Sequence, residues 1–205
     1  TVTGNDIIFE GATADAHEVT LNGGEPTGDY TLTLPVDITG DLIPGKFGGT
    51  NFTASLLIGH STTGTLSSCL NNVGVGYTAL DALTSGDDNV AVGSAAGSAI
   101  ADGLKNVCVG RQAGMLISSG ESNIAIGYGA VDAVTSANSN IGIGAYTLTA
   151  ATGQANTSVG TASGAAIEGG EYNVCLGNSS GDNITTGSGN VVIGKADVSS
   201  ATGDD

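Results

Sequence analysis

The residues of this chain that could carry chemistry are few and widely spaced. The 205 residues include three cysteines, Cys69, Cys108 and Cys175, and two histidines, His17 and His60. Neither histidine has a Cys or a second His at metal-ligand spacing, so no zinc site is expected. A catalytic triad built on either histidine has no visible partner set.

Paired carboxylates are the other candidate. Asp87 with Asp88, and Glu168 with Glu171, lie in segments that vary between repeats. Two carboxylates serve glycoside hydrolysis, and carboxylate oxygens bind Ca²⁺. In variable turns, solvation or occasional Ca²⁺ binding is favoured over glycosidase chemistry. Gly-rich runs without a following helix do not indicate a nucleotide site. We therefore predict no catalytic residue, no metal ligand and no cofactor, with Ca²⁺ in the acidic turns left open.

The composition excludes several classes of protein. Twenty acidic residues against four basic ones give a formal net charge of −16, which repels nucleic acids and anionic membranes. The 35 glycines follow no Gly-X-Y triplet, which excludes collagen. No apolar run reaches the ~18 residues of a membrane helix. A hydrophobic content of 40% with only 4% aromatics predicts a folded chain with a thin core.

A 17-residue repeat organises most of the chain. Its signature is Asn, two apolar residues flanking a small one, and Gly, as in Asn89 to Gly93. One spacing is 16 residues, and Ser55 takes the Asn place one period upstream. Period-two alternation of β-branched residues predicts a strand, and the Gly predicts a corner with positive φ. We predict an all-β β-solenoid, a parallel β-roll or β-helix of about nine coils, each with a strand, a turn, a short second strand and a turn.

Two columns of the repeat are predicted to hold this solenoid together. The Asn column should form a structural ladder of amide hydrogen bonds between coils, and it contains Asn72, Asn89, Asn106, Asn123, Asn140, Asn156, Asn173 and Asn190. The small residues between the aliphatics should point outward and pack against another copy of the chain. They are Gly74, Ala91, Cys108, Ala125, Gly142, Ser158, Cys175 and Val192. The alternative is an exposed face on which small residues keep the sheet flat.

The three cysteines are predicted to be free and buried. Cys108 and Cys175 stand four coils apart, about 19 Å at the spacing of stacked strands, whereas a disulfide requires Cα atoms within ~7 Å. A bridge between chains is the alternative. Four segments are predicted along the chain: a small β module over 1–45, a linker over 46–54, the solenoid over 55–195 and an exit segment over 196–205. Strands in the first module are expected at 7–9, 18–21 and 30–34.

The motif Asn-Val-Ala-Val-Gly at Asn89 resembles the head repeats of trimeric autotransporter adhesins and is similar to repeats in phage tail fibres. The segments 9–18 and 29–35 resemble tail fibres of marine and cyanobacterial phages, and 193–204 looks like the exit from such a repeat region. The 17-residue unit is longer than the adhesin head repeat, so the resemblance does not define the handedness of the coil.

The resemblance implies a homotrimeric fibre shaft in the virion, outside the cell, that contacts other virion or tail proteins and contributes to attachment to the host surface. A host glycan or outer-membrane protein would be the receptor, and the candidate receptor corner is Tyr77, Arg111 and Tyr128, each five residues after its Asn. A capsid decoration protein or cell-surface adhesin is one alternative. A tailspike-like polysaccharide-degrading enzyme, from another class, would need carboxylates clustered between chains. No nucleic-acid binding and no membrane insertion are expected.

Overall fold

The computed structural model describes residues 55–58 and 66–194 in full. Between residues 2 and 53 it describes the backbone of five short strands. The chain divides into two compact units, Thr1–Leu42 and Ile43–Asp205. The predicted exit segment, 196–205, lies outside the described residues.

The first unit contains an antiparallel sheet. Its strands are β1 (Val2–Thr3), β2 (Asp6–Phe9) and β3 (Val19–Asn22), and they are hydrogen-bonded in that order. Strands β2 and β3 match two predicted strands to within a residue at each end. The third predicted strand, at 30–34, lies outside the described residues.

The second unit is a β-solenoid, as predicted. Nine strands of three residues pair in parallel, each with the equivalent strand of the next coil, and bound eight turns. They are β6 (Leu56–Ile58), β8 (Val73–Val75), β9 (Val90–Val92), β10 (Val107–Val109), β11 (Ile124–Ile126), β12 (Ile141–Ile143), β13 (Thr157–Val159), β14 (Val174–Leu176) and β15 (Val191–Ile193). Equivalent residues of neighbouring coils are paired directly, as Cys108 is with Ala125 and Val109 with Ile126.

The segment predicted as a linker contributes strands to the solenoid unit. Strand β4 (Gly45–Phe47) pairs antiparallel with β6, at one edge of the long sheet. Strand β5 (Phe52–Thr53) pairs in parallel with β7 (Cys69–Leu70). The break between the compact units falls between 42 and 43, three residues before the predicted end of the first module. These strands were not predicted because their Gly-rich sequence lacks the alternation of apolar and polar side chains that indicates a strand. Only the pairing of their backbones defines them.

The predicted second strand is absent from the described coils that follow Asn72, where this part of the coil is turn, and only the first coil has one, β7. Three positions per coil have a left-handed backbone: before the Asn, and six and eight residues after it. Lys105, Gln112 and Leu80 illustrate these positions, with φ of 57°, 60° and 57°. An extended strand does not tolerate such a φ value. Backbone hydrogen bonds still join neighbouring coils in these turns, as from Ser118 N to Thr135 O at 2.8 Å.

The core is a narrow column of small and aliphatic side chains. Leu83, Ile100, Ile117, Val134 and Ile167 are fully buried and stack along one side of the coil. In other parts of the core, a glycine lies directly against a larger side chain and leaves room for it. A Cβ added at Gly114 would lie 2.5 Å from Cys108 Sγ, and one added at Gly74 would lie 3.4 Å from Leu80 Cδ1 and closer still to Leu57 Cδ2.

The predicted glycine corner has the predicted conformation after each of the strands β8 to β15. Gly110 has φ +130°, and a Cβ there would lie 2.6 Å from the carbonyl oxygen of Gly127 in the next coil. The corner therefore needs Gly for two reasons: L side chains rarely adopt this φ, and the neighbouring backbone occupies the space of a side chain.

We expect Gly110→Ala to lower the free energy of unfolding by about 2–4 kcal/mol, from backbone strain and overpacking together. The matched control is Gly169→Ala, because a Cβ at Gly169 meets nothing within 4 Å and its φ is not in the left-handed region. Urea unfolding followed by circular dichroism measures both variants. Equal stability of the two would contradict the close approach of neighbouring corners.

Candidate functional site

The small-residue column lies inside the coil, so the prediction that it points outward is wrong. Ala91, Cys108 and Ala125 are 0% exposed and Cys175 is 1% exposed. The rest of the column follows the same direction: Gly74, Gly142 and Ser158 are buried, and Val192 in the last described strand is half-buried. Side chains alternate along a strand. Since the Asn points inward, the residue two positions later also points inward, and only small side chains fit there beside the core aliphatics.

The aliphatic residues that flank this column form the outward face of the sheet. We call this the apolar sheet face: the first and third residues of β6 and of β8 to β15. Seventeen of its eighteen side chains are Val, Ile or Leu, and the exception is Thr157. Val92, Val109, Ile126 and Ile143 are between 36% and 38% exposed. The face is about 40 Å long and ~10 Å wide, from nine strands at a spacing of ~4.8 Å and three residues per strand.

An exposed parallel sheet face of this composition is unusual. Parallel sheets are normally covered on both sides. A contiguous exposed apolar patch of several hundred Å² typically marks a site of interaction. Hydrophobicity alone gives the wrong direction for this strand, because its aliphatic residues face out and its small residues face in. The direction of the Asn, followed by strict alternation, was the signal that could have identified this face.

The Asn column forms a continuous ladder inside the coil. Asn106 donates its backbone N–H to Asn89 Oδ1 at 3.0 Å and its amide to the same oxygen at 3.1 Å. The amide also donates to the carbonyl oxygen of Gly120 at 2.8 Å. Ser55 begins the ladder, because its Oγ accepts from Asn72 N at 2.8 Å. The 16-residue repeat begins at Asn140, and the residue that it lacks is missing from a turn. The Asn140 amide therefore donates to the carbonyl oxygen of Gly153, 13 residues later, whereas Asn106 donates to Gly120, 14 residues later.

The predicted receptor corner is brought together only in part. The Arg111 guanidinium carbon lies 5.5 Å from the centroid of the Tyr128 ring, within the range of a cation–π contact. Tyr77 is 71% exposed but lies two coils away from Arg111. The corner gains Tyr146, whose ring packs edge-on to Tyr128 at 5.0 Å. Tyr146 was missed because it follows its Asn by six residues rather than five.

The cysteines are free and buried, as predicted. Burial raises the pKa of all three thiols, that of Cys108 to about 12. Thiols with such pKa values remain protonated at neutral pH and are poor nucleophiles.

The acidic pairs do not build a metal site within the described residues, which contain no group of three or more His, Cys, Asp or Glu able to hold an ion. Asp87 Oδ1 accepts from Leu70 N at 2.7 Å and Asp88 Oδ1 from Asn71 Nδ2 at 2.9 Å. These side chains therefore stabilise turns. His17 and His60 lie outside the described residues. None of the described residues forms a helix that could cross a membrane.

The coils and the sheet face together define a β-solenoid protein with one uncovered apolar side. Comparison of the chain with protein-family models, curated proteins and solved structures finds no match.

The Asn ladder makes a direct prediction about stability. Asn106→Ala removes the acceptor of two bonds from Asn123 and the donor to Gly120 O, and leaves these buried groups unpaired. Each such group costs about 1–3 kcal/mol, so we expect a loss of at least ~2 kcal/mol in urea unfolding. The control Asn178→Ala, at an exposed amide that bonds Thr161 O at 3.2 Å, should change the free energy of unfolding by less than about 0.5 kcal/mol. Similar losses in both variants would contradict the ladder's role.

Proposed function

We propose that this chain is the shaft of a fibre, a structural protein whose copies associate through the apolar sheet face as a homotrimer. The observation that carries the proposal is the face itself: two columns of aliphatic side chains, half-buried or exposed, that run along all nine strands. Each coil adds ~4.8 Å of length, and identical hydrogen bonds between coils make the stack stiff. Repetition therefore supplies reach, and the aliphatic columns supply a continuous surface for association.

The area of the apolar sheet face is smaller than that of a typical stable interface. At about 25 cal/mol per Å², burying its roughly 400 Å² yields ~10 kcal/mol per copy before costs. Association costs an estimated 4–15 kcal/mol, and stable interfaces bury about 800 Å² per partner. The aliphatic columns thus supply the apolar centre of an interface, and the turns on either side must supply the remaining area.

The particular setting that we propose is a phage tail fibre. Its support is the resemblance of the segments 9–18 and 29–35 to tail fibres. In that setting the chain lies in the virion, outside the cell, contacts other tail proteins and contributes to attachment to the host surface. Imaging of labelled virions tests the location, since label on the tail agrees with the proposal and label on the capsid contradicts it.

Placing charge on the face should separate the copies without unfolding the coil. Ile124→Lys with Ile126→Lys adds two cations to the face, and we expect sedimentation to show monomers in place of trimers. The control is Ser119→Lys with Ser136→Lys, which adds the same charge one coil apart on exposed turns. Circular dichroism should be unchanged in both double variants. A wild-type monomer, or trimers that survive the Ile variant, would contradict the proposed assembly.

A substitution in the inward column has a different expected effect. Ala125→Glu places a carboxylate in a fully buried position, where an unpaired charge is costly. We expect this variant to lose the solenoid fold, with loss of the β signal in circular dichroism. A folded monomer would instead mean that residue 125 faces another copy.

A further inference from the structure

The apolar sheet face is bordered by two edges of unlike chemistry. We call the residues one and two positions before each Asn the entering edge, and those five and six positions after it the leaving edge. The entering edge carries four carboxylates, one ammonium and one tyrosine: Asp87, Asp88, Glu121, Glu171, Lys105 and Tyr172. Between residues 77 and 179 the leaving edge carries no carboxylate. It has one cation, Arg111, and three tyrosines, Tyr77, Tyr128 and Tyr146.

The groups at these edges are available for contact. Arg111 is exposed, and its guanidinium lies over the ring of Tyr128. Glu121 is exposed, and its backbone N–H, not its carboxylate, bonds to Asn138. Tyr128 and Tyr146 are 37% and 49% exposed. Tyrosine and arginine are enriched at the centres of protein interfaces, where their area and hydrogen bonds contribute most.

Symmetry decides which edges meet when two faces pack together. If the rods are parallel and related by an axis along their length, the leaving edge of one copy meets the entering edge of the next. If the rods are antiparallel and related by an axis across their length, each edge meets its own equivalent. The four carboxylates would then face four carboxylates, and like charges opposed across an interface cost several kcal/mol.

We propose that each copy contacts the next through unlike edges, with Arg111 of the leaving edge paired to Glu121 of the neighbouring copy's entering edge. The inference rests on the proposed self-association and specifies its orientation and contact residues. Glu121 completes the coil in which Arg111 lies, so in a parallel arrangement in register their heights differ by less than one coil spacing of ~4.8 Å. Both side chains are long enough to span that difference. The tyrosines beside Arg111 supply apolar area that the aliphatic columns lack.

Charge reversal with rescue tests this pairing. Arg111→Glu alone and Glu121→Arg alone should each weaken association at least tenfold in sedimentation at low salt. The double variant, which restores opposite charges, should recover most of the wild-type affinity. Glu168→Arg is the control, since it is exposed, lies on neither edge and reverses a charge of the same kind. Circular dichroism of each variant checks that the coil is folded.

The outcomes separate the two proposals. Trimers that are indifferent to both single reversals, or single losses that the double variant does not rescue, would overturn the edge pairing while self-association stands. A wild-type monomer would overturn both. Rescue that weakens as salt is raised would support a solvent-accessible ion pair at the rim of the interface.

Discussion

A buried asparagine that satisfies its amide along the stack is the interaction on which the rest of this structure depends. Each Asn accepts two hydrogen bonds from the Asn of the next coil in most steps of the ladder, and donates to a carbonyl of its own coil. A buried amide is costly unless it is paired, so the side chain points inward in every coil. Because side chains alternate along a strand, the small middle residue of each strand then points inward and its aliphatic neighbours point outward.

The narrow interior follows from the same constraint. With the amides occupying one corner, the remaining space is small, and a glycine faces a bulkier side chain to make room for it. Cys108 faces Gly114, and Gly74 faces Leu57 and Leu80. The aliphatic residues that do not fit inside form the outer surface of the sheet. An apolar exterior is therefore a result of how the coil closes, and it leaves the chain with a surface suited to association.

Much of the fold was predictable because the repeat is regular. The period, the parallel stacking, the Asn ladder and the glycine corners all follow from spacing and residue type. The direction of the strand was not predicted correctly, because hydrophobicity favours aliphatics inside, and here the buried amide decides. Left-handed residues such as Lys105 and Gln112 gave no signal, since their types are common in any turn. The pairing of Tyr128 with Tyr146 depends on side-chain directions at two different turn positions, which spacing alone does not give.

Cross-linking between copies tests the central claim most directly, that the aliphatic columns face outward and meet in the assembly. Ile126→Cys places a thiol on the apolar sheet face, while the native Cys108 and Cys175 lie in the inward column. In parallel copies related by an axis along their length, residue 126 of every chain lies at the same height around that axis. With a short bifunctional maleimide, the account predicts linkage between copies through residue 126 and none in the wild-type protein. Linkage through Cys108 in the wild type, with no gain from Ile126→Cys, would contradict it.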